Sequence, residues 1–254
     1  LKLRVSDSSA HLTPLFNTIE GVKLLPGLVT LRASTHTPMR GRLGATSQFR
    51  RRPGMTPNAV ESFSLWLMPH DGAPEHPYNE RLQREINAQA NRIAGAPSFA
   101  PHVTLLGGIE GTEDDVLERA DRLGAQLKPY VIKFDKVKAG TSFFQCVFIK
   151  CQETPAVMQA AQEARSSYGK DPDEVYMPHL SLLYADITQE QREAVAQEAQ
   201  ARIFPGLLDS IFLQKGDPGV GTGFLVDSMS LWRTPTEDKS LKNWELVATI
   251  PLTG

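Results

Sequence analysis

The chain of 254 residues is ordinary in bulk, with 41% apolar residues, 22% charged residues and a net charge of −2. Its longest apolar runs, FSLWLM (63–68) and CVFI (146–149), fall far short of the roughly 20 residues a membrane-spanning helix needs, so no such helix is expected. Residues 1–60 hold nine basic and two acidic side chains and the remainder 18 basic against 27 acidic, so the bulk is mildly acidic and a broad nucleic-acid surface is disfavoured.

The first 54 residues differ from the rest. No acidic residue occurs from Gly21 to Gly54, while Lys23, Arg32, Arg40, Arg42 and Arg50-Arg51-Arg52 accumulate among Ser, Thr, Gly and Pro. An organelle transit peptide, a disordered basic arm for RNA, and a true start at Met55 all fit this composition. The fold is therefore expected from residue 59 onward, with 1–58 a basic extension, disordered or non-native.

From there the pattern is regular. FSLWLM (63–68) alternates as a strand; Leu82, Ile86, Ala90 and Ile93 recur at helical spacing; HVTLL (102–106) is a short strand. Thr112 with Asp115 predicts a capped helix start, followed by a stripe of Val116, Leu117, Ala120, Leu123 and Leu127. YVIKFDKV (130–137) and FFQCVFIKC (143–151) predict strands. Cys146 and Cys151 would then lie in one strand, facing opposite ways and too far apart for a disulfide, so both thiols are expected reduced.

The second half reprises the first. A helical stripe of Val157, Met158, Ala161 and Ala164 precedes the strand HLSLLY (179–184). Thr188 with Gln191 then opens another capped helix running through Val195, Ala199 and Ile203. SMSLWRT (228–234) and WELVATI (244–250) close as strands, and QKGDPGVGTGF (214–224) reads as a flexible insertion. The class is α+β, with two similar antiparallel lobes.

One motif is doubled: APHVTLLG (100–107) and MPHLSLLY (177–184) both read Pro-His, aliphatic, hydroxyl, Leu-Leu. Strand alternation points His102 and Thr104 one way with Val103 and Leu105 behind them, and treats His179 and Ser181 likewise. Two imidazoles and two hydroxyls in one cleft suit cyclic phosphodiester hydrolysis. One imidazole takes a proton from water, the other protonates the leaving oxygen, and the hydroxyls hold phosphate oxygens. A metal is not needed, and no carboxylate–histidine spacing suggests one. There is no G-x-S-x-G elbow, and Cys146 among Val and Phe reads as inert.

These motifs resemble the two-histidine phosphoesterase superfamily and, more closely, the cyclic phosphodiesterases of plants and fungi. FSLWLMP (63–69), PHVTLL (101–106), GTSFFQCVF (140–148), TPAVMQA (154–160), YMPHLSLLYADIT (176–188) and TPTEDKSLKNWE (234–245) carry the likeness, which excludes 1–58. The resemblance implies a bilobal fold with two pseudo-symmetric antiparallel sheets around a central cleft and helices outside. It implies His102 and His179 as the acid–base pair, Thr104 and Ser181 as phosphate holders, and Trp66 and Tyr184 lining the pocket. It also implies that nucleoside 2′,3′-cyclic phosphates open to 2′-phosphates, and that ADP-ribose 1″,2″-cyclic phosphate, a by-product of tRNA splicing, opens to ADP-ribose 1″-phosphate.

By parity alone, Tyr184 falls on the opposite face from His179. The chain lacks the extra cysteines of plant members, and its 206–224 segment is longer. No cofactor and no stable nucleic-acid partner are expected of what reads as a monomer. Cytoplasm is the expected address, with Golgi association as in yeast relatives, or an organelle if 1–54 is a transit peptide, as alternatives. An RNA-end 2′,3′-cyclic or 2′-5′ phosphodiesterase and a catalytically inactive nucleotide-binding module are the competing readings.

Overall fold

The computed structural model describes residues 60–69, 78–204 and 223–254, in twelve elements. In chain order these are β1 (Glu61–Leu67), α1 (Tyr78–Arg92), β2 (Val103–Gly111), α2 (Glu113–Gln126), β3 (Tyr130–Ala139) and β4 (Val147–Cys151). There follow α3 (Pro155–Ser167), β5 (His179–Leu183), α4 (Gln189–Ile203), β6 (Gly223–Val226), β7 (Ser228–Arg233) and β8 (Glu245–Pro251). The basic 1–58 segment and most of the 206–224 insertion lie outside the described residues.

The expected α+β class holds. The two sheets are halves of one curled antiparallel sheet in the order β6-β3-β4-β5-β2-β1-β7-β8. Four strands carry each half, and the halves meet at the middle pair, β5 and β2, through Val103 opposite Leu180.

Local chemistry accounts for the helices. Thr112 caps α2 by accepting from the Asp115 amide, and Glu113, Asp114 and Asp115 set negative charge at the positive end of the helix dipole. Thr188 and Gln191 form the full reciprocal box at α4. Thr154 caps α3 with Pro155 following, where a missing N–H costs nothing. In α1 the buried stripe runs through Leu82, Ile86 and Gln89, so Gln89 takes the inward place expected for Ala90 and donates to Glu85.

The helices cover one face of the sheet, and alternation in β3 marks it. Tyr130, Ile132, Phe134 and Val137 are buried while Val131, Lys133, Lys136 and Lys138 are exposed. Gly124 lets α2 approach β8 closely, because a Cβ there would lie 2.5 Å from Ile250 and 2.7 Å from the Pro251 carbonyl. At the far end of the first half, Arg233 binds Glu61 and Glu245, each at 2.8 Å, together with Glu113, tying β1, β7, β8 and α2 into one corner.

Two strand expectations change. The predicted strand 143–151 is paired only over Val147–Cys151, because the Gly140 amide bonds the Cys146 carbonyl and folds 140–146 into a turn. Phe143 and Phe144 thereby leave the sheet. The glycine-rich run ends in a strand that the sequence reading did not foresee, β6, which pairs with β3. Its first residue, Gly223, passes so close to β3 that a Cβ would strike the Ile132 carbonyl. Both cysteines are buried and unpaired.

Candidate active site

The seam between the halves sets the geometry. Antiparallel pairing of Val103 with Leu180 places His102 opposite Ser181 and Thr104 opposite His179, one residue to either side. All four point to the face away from Val103 and Leu180, which are fully buried. Cross-strand neighbours of this kind lie ~5 Å apart and diagonal ones ~7–8 Å, so the imidazoles occupy opposite corners of a square whose other corners are hydroxyls. The doubling of the motif is thus a consequence of local two-fold pairing about a single residue pair.

Each ring is held the same way. His102 Nδ1 lies 2.7 Å from the Ala100 carbonyl, and His179 Nδ1 lies 2.9 Å from the Met177 carbonyl. A carbonyl only accepts, so Nδ1 carries the proton in both rings and Nε2 is the nitrogen left to do chemistry. The intervening Pro101 and Pro178 restrict the backbone that presents those carbonyls.

Their surroundings differ. His102 is 3% exposed and stacks on Trp66 at 3.6 Å and 9°, with Phe99 edge-on. Burial pushes its pKa down to about 4; the bond to Ala100 opposes this, and the nearby His179 adds to it. His179 is half-buried against the edge of Phe148 at 5.0 Å, and its pKa is lowered by burial, with the Met177 bond in opposition. Both rings therefore rest neutral at pH 7.

Tyr184 lies on the site side, contrary to its parity. On β5, Ser181 opposes Phe148 but Leu183 opposes Val147, so Leu182 is an extra, bulged residue. The bulge resets the alternation and brings the Tyr184 hydroxyl to hydrogen-bond the Ser181 hydroxyl. Burial raises the pKa of Tyr184 to about 12. Leu105 is bulged in the same way on β2, at the equivalent place three residues after its histidine. The Ser181 hydroxyl donates its one proton to the Phe144 carbonyl at 3.4 Å.

Trp66 faces Thr104 across the β1–β2 pair and is 2% exposed. With His102 on one face and Trp232 stacked at 4.3 Å on the other, it has no open face for a ligand ring. Its place is that of a support behind His102.

Further residues join the site. Phe148 is the second-half counterpart of Trp66, and Tyr176 donates from its hydroxyl to the Thr104 carbonyl at 2.9 Å. Phe99 reaches the other way to stack on Tyr184 at 4.0 Å, so each half braces the other. Phe144 and Trp244 complete an aromatic rim beside Tyr184. Ser64 and Thr234 share a buried hydroxyl contact at 2.7 Å on the Thr104 side.

No group of three or more His, Cys, Asp or Glu that could hold a metal ion occurs among the described residues. Among them, likewise, no helix is long and apolar enough to cross a membrane. A separate depression of about 360 Å³, lined by Gly108, Glu110, Asp115, Arg119 and Lys170 among others, shares no residue with the histidine square.

Residues 61–252 match the family model described as cyclic phosphodiesterase-like protein. The chain is 33% identical over 190 residues to a cyclic phosphodiesterase of Arabidopsis thaliana, an alignment covering 75% of this chain and 94% of that one. It is 30% identical over 140 residues to a 2′,3′-cyclic-nucleotide 3′-phosphodiesterase of Kluyveromyces lactis, covering 49% of this chain and 64% of that one. Among solved structures, apo LigT of E. coli aligns over 77% of this chain and 99% of its own, with a TM-score of 0.47 and 12% identity.

Proposed function

The chain belongs to the cyclic phosphodiesterase-like family, and from that membership we propose that it hydrolyses nucleoside 2′,3′-cyclic phosphates to nucleoside 2′-phosphates with His102 and His179 as its acid–base pair. The observation that carries this reading is the register at Val103 and Leu180, which sets two Nε2 atoms diagonally across a site whose other corners are hydroxyls. One imidazole accepts a proton from water as its oxygen attacks phosphorus. The P–O3′ bond breaks, and the other imidazole, protonated, gives its proton to the departing 3′ oxygen. Thr104 and Ser181 donate to the non-bridging oxygens as their charge grows.

Both proton transfers come from imidazoles, so the reaction proceeds without a metal. Trp66 and Phe148 fix the two rings, and the Phe144, Tyr184 and Trp244 rim offers flat apolar surface to the nucleoside. ADP-ribose 1″,2″-cyclic phosphate presents the same five-membered cyclic ester and is a second substrate on this reading, which places the protein downstream of tRNA splicing. The reduced cysteines fit a cytosolic address.

The test is to incubate the protein with the four nucleoside 2′,3′-cyclic phosphates and ADP-ribose 1″,2″-cyclic phosphate in excess EDTA and to identify each product isomer by phosphorus NMR. The 2′-phosphate, and ADP-ribose 1″-phosphate, are expected. A 3′-phosphate product, or activity abolished by EDTA and restored by a metal, overturns the reading.

A further inference from the structure

The pseudo-symmetry of the site is broken by charge. Continuing each cross-strand row from the second motif, His179 pairs with Lys150 on β4 and Lys150 with Lys136 on β3. Ser181 pairs with Phe148, and Phe148 with Lys138. Paired residues share a face, so these three lysines stand on the same open face as the catalytic square. Strands are ~4.8 Å apart, which puts Lys150 one step and Lys136 two steps from His179.

The same rows run the other way through uncharged residues. Thr104 pairs with Trp66 and Trp66 with Ser230, while Ser64 pairs with Trp232. Lys136 and Lys138 are exposed, and neither forms an ion pair among the described residues. Lys150 meets Glu153 at 3.0 Å. Asp135, which precedes Lys136, is exposed and is the bulged residue of β3.

We propose that Lys136 and Lys138, with Lys150 nearer the histidine, form a subsite for a second phosphate group on the substrate, the one esterified to C5′ of the ribose that bears the cyclic phosphate. The inference rests on the reading above, and the chemistry of that substrate selects the position. The cyclic phosphate occupies the 2′ and 3′ oxygens, so any further phosphate on the ribose hangs from the 5′ oxygen. Such a substrate carries two anionic groups a few ångströms apart. The strands of the second half offer cations at that reach. Among the described residues the first-half rows through Thr104, Trp66, Ser230, Ser64 and Trp232 offer none, and Lys239, on the loop after β7, is paired with Asp186 at 2.6 Å. The acidic bulk charge of the chain does not forecast this, because net charge says nothing about one sheet face.

The test compares adenosine 2′,3′-cyclic phosphate with its 5′-phosphorylated form, in the unaltered protein and in the double variant Lys136→Gln with Lys138→Gln. The unaltered protein is expected to favour the 5′-phosphorylated substrate, with the preference shrinking as salt rises. Exposed ion pairs of this kind are weak, so the double variant is expected to lose roughly three- to tenfold in kcat/KM for that substrate. Turnover of the 5′-hydroxyl form serves as the reference and is expected unchanged. Equal effects on both substrates, or none on either, overturn the subsite. Loss confined to a cyclic-ended oligonucleotide, with the 5′-phosphorylated mononucleotide unaffected, also overturns it, in favour of backbone tracking farther from the site. Failure of the phosphodiesterase reading itself is seen separately, as absent turnover of both cyclic substrates by the unaltered protein.

Discussion

Burial of His102 against Trp66 has a cost that acid should expose. The folded protein holds this ring with a pKa of about 4 where an unfolded chain has about 6.5. Between those values the unfolded state binds a proton that the folded state refuses, so stability falls as pH drops through that window and is full above it. At 1.36 kcal/mol per pKa unit, the whole difference is about 3 kcal/mol, of which about 2 kcal/mol is lost by pH 5. That is a large share of the ~5–15 kcal/mol that holds a typical domain together.

Urea unfolding of the unaltered protein and of His102→Gln at pH 7, 6 and 5 measures it. His179, also depressed, contributes to both proteins, so the quantity of interest is the difference between them. The unaltered protein should lose about 2 kcal/mol more than the variant from pH 7 to pH 5. Equal losses would refute the claim that the ring is held dry and neutral. The same depression bears on activity. In the free enzyme both histidines are neutral at pH 7, so kcat/KM should peak below pH 6.5 and fall as pH rises above it.

Other outcomes follow from the same geometry. Trp66→Phe keeps an aromatic ring but shrinks the surface behind His102; kcat should fall several-fold, and the acidic limb of the kcat/KM profile should move toward pH 6.5 as the imidazole gains water. A KM rise without that pH shift would instead mean that Trp66 touches substrate. Thr104→Val and Ser181→Ala each remove one donor to the phosphate, and steady-state kinetics should show kcat lowered by about 10²-fold with folding intact. An unchanged kcat in either variant removes that hydroxyl from the mechanism.

Much of this architecture was legible in the sequence because its signals are local. Thr112 and Thr188 mark helix starts, β1, β2, β3 and β5 alternate, and the doubled Pro-His motif announces a repeated element. What escaped depends on register. A single bulged residue, Leu182, reverses the parity of Tyr184, and nothing in a period-two pattern signals it. The partners of His179 across β4 and β3 are set by pairing, so Phe148 and the lysine row became visible only once those strands were aligned. The family resemblance implies Trp66 as a pocket wall, and its strand face is compatible with core or cleft; that it sits between His102 and Trp232 follows from packing across three strands. β6 was missed because four residues beginning with glycine carry almost no strand signal.

The acid–base pair is the centre of the account. His102→Gln and His179→Gln, each checked for intact fold by circular dichroism, should be assayed separately on uridine 2′,3′-cyclic phosphate in EDTA. Both variants should lose about 10²–10⁴-fold in kcat, since each removes one of two required proton transfers. Either variant turning over at a rate within a few-fold of the unaltered protein contradicts the two-histidine mechanism.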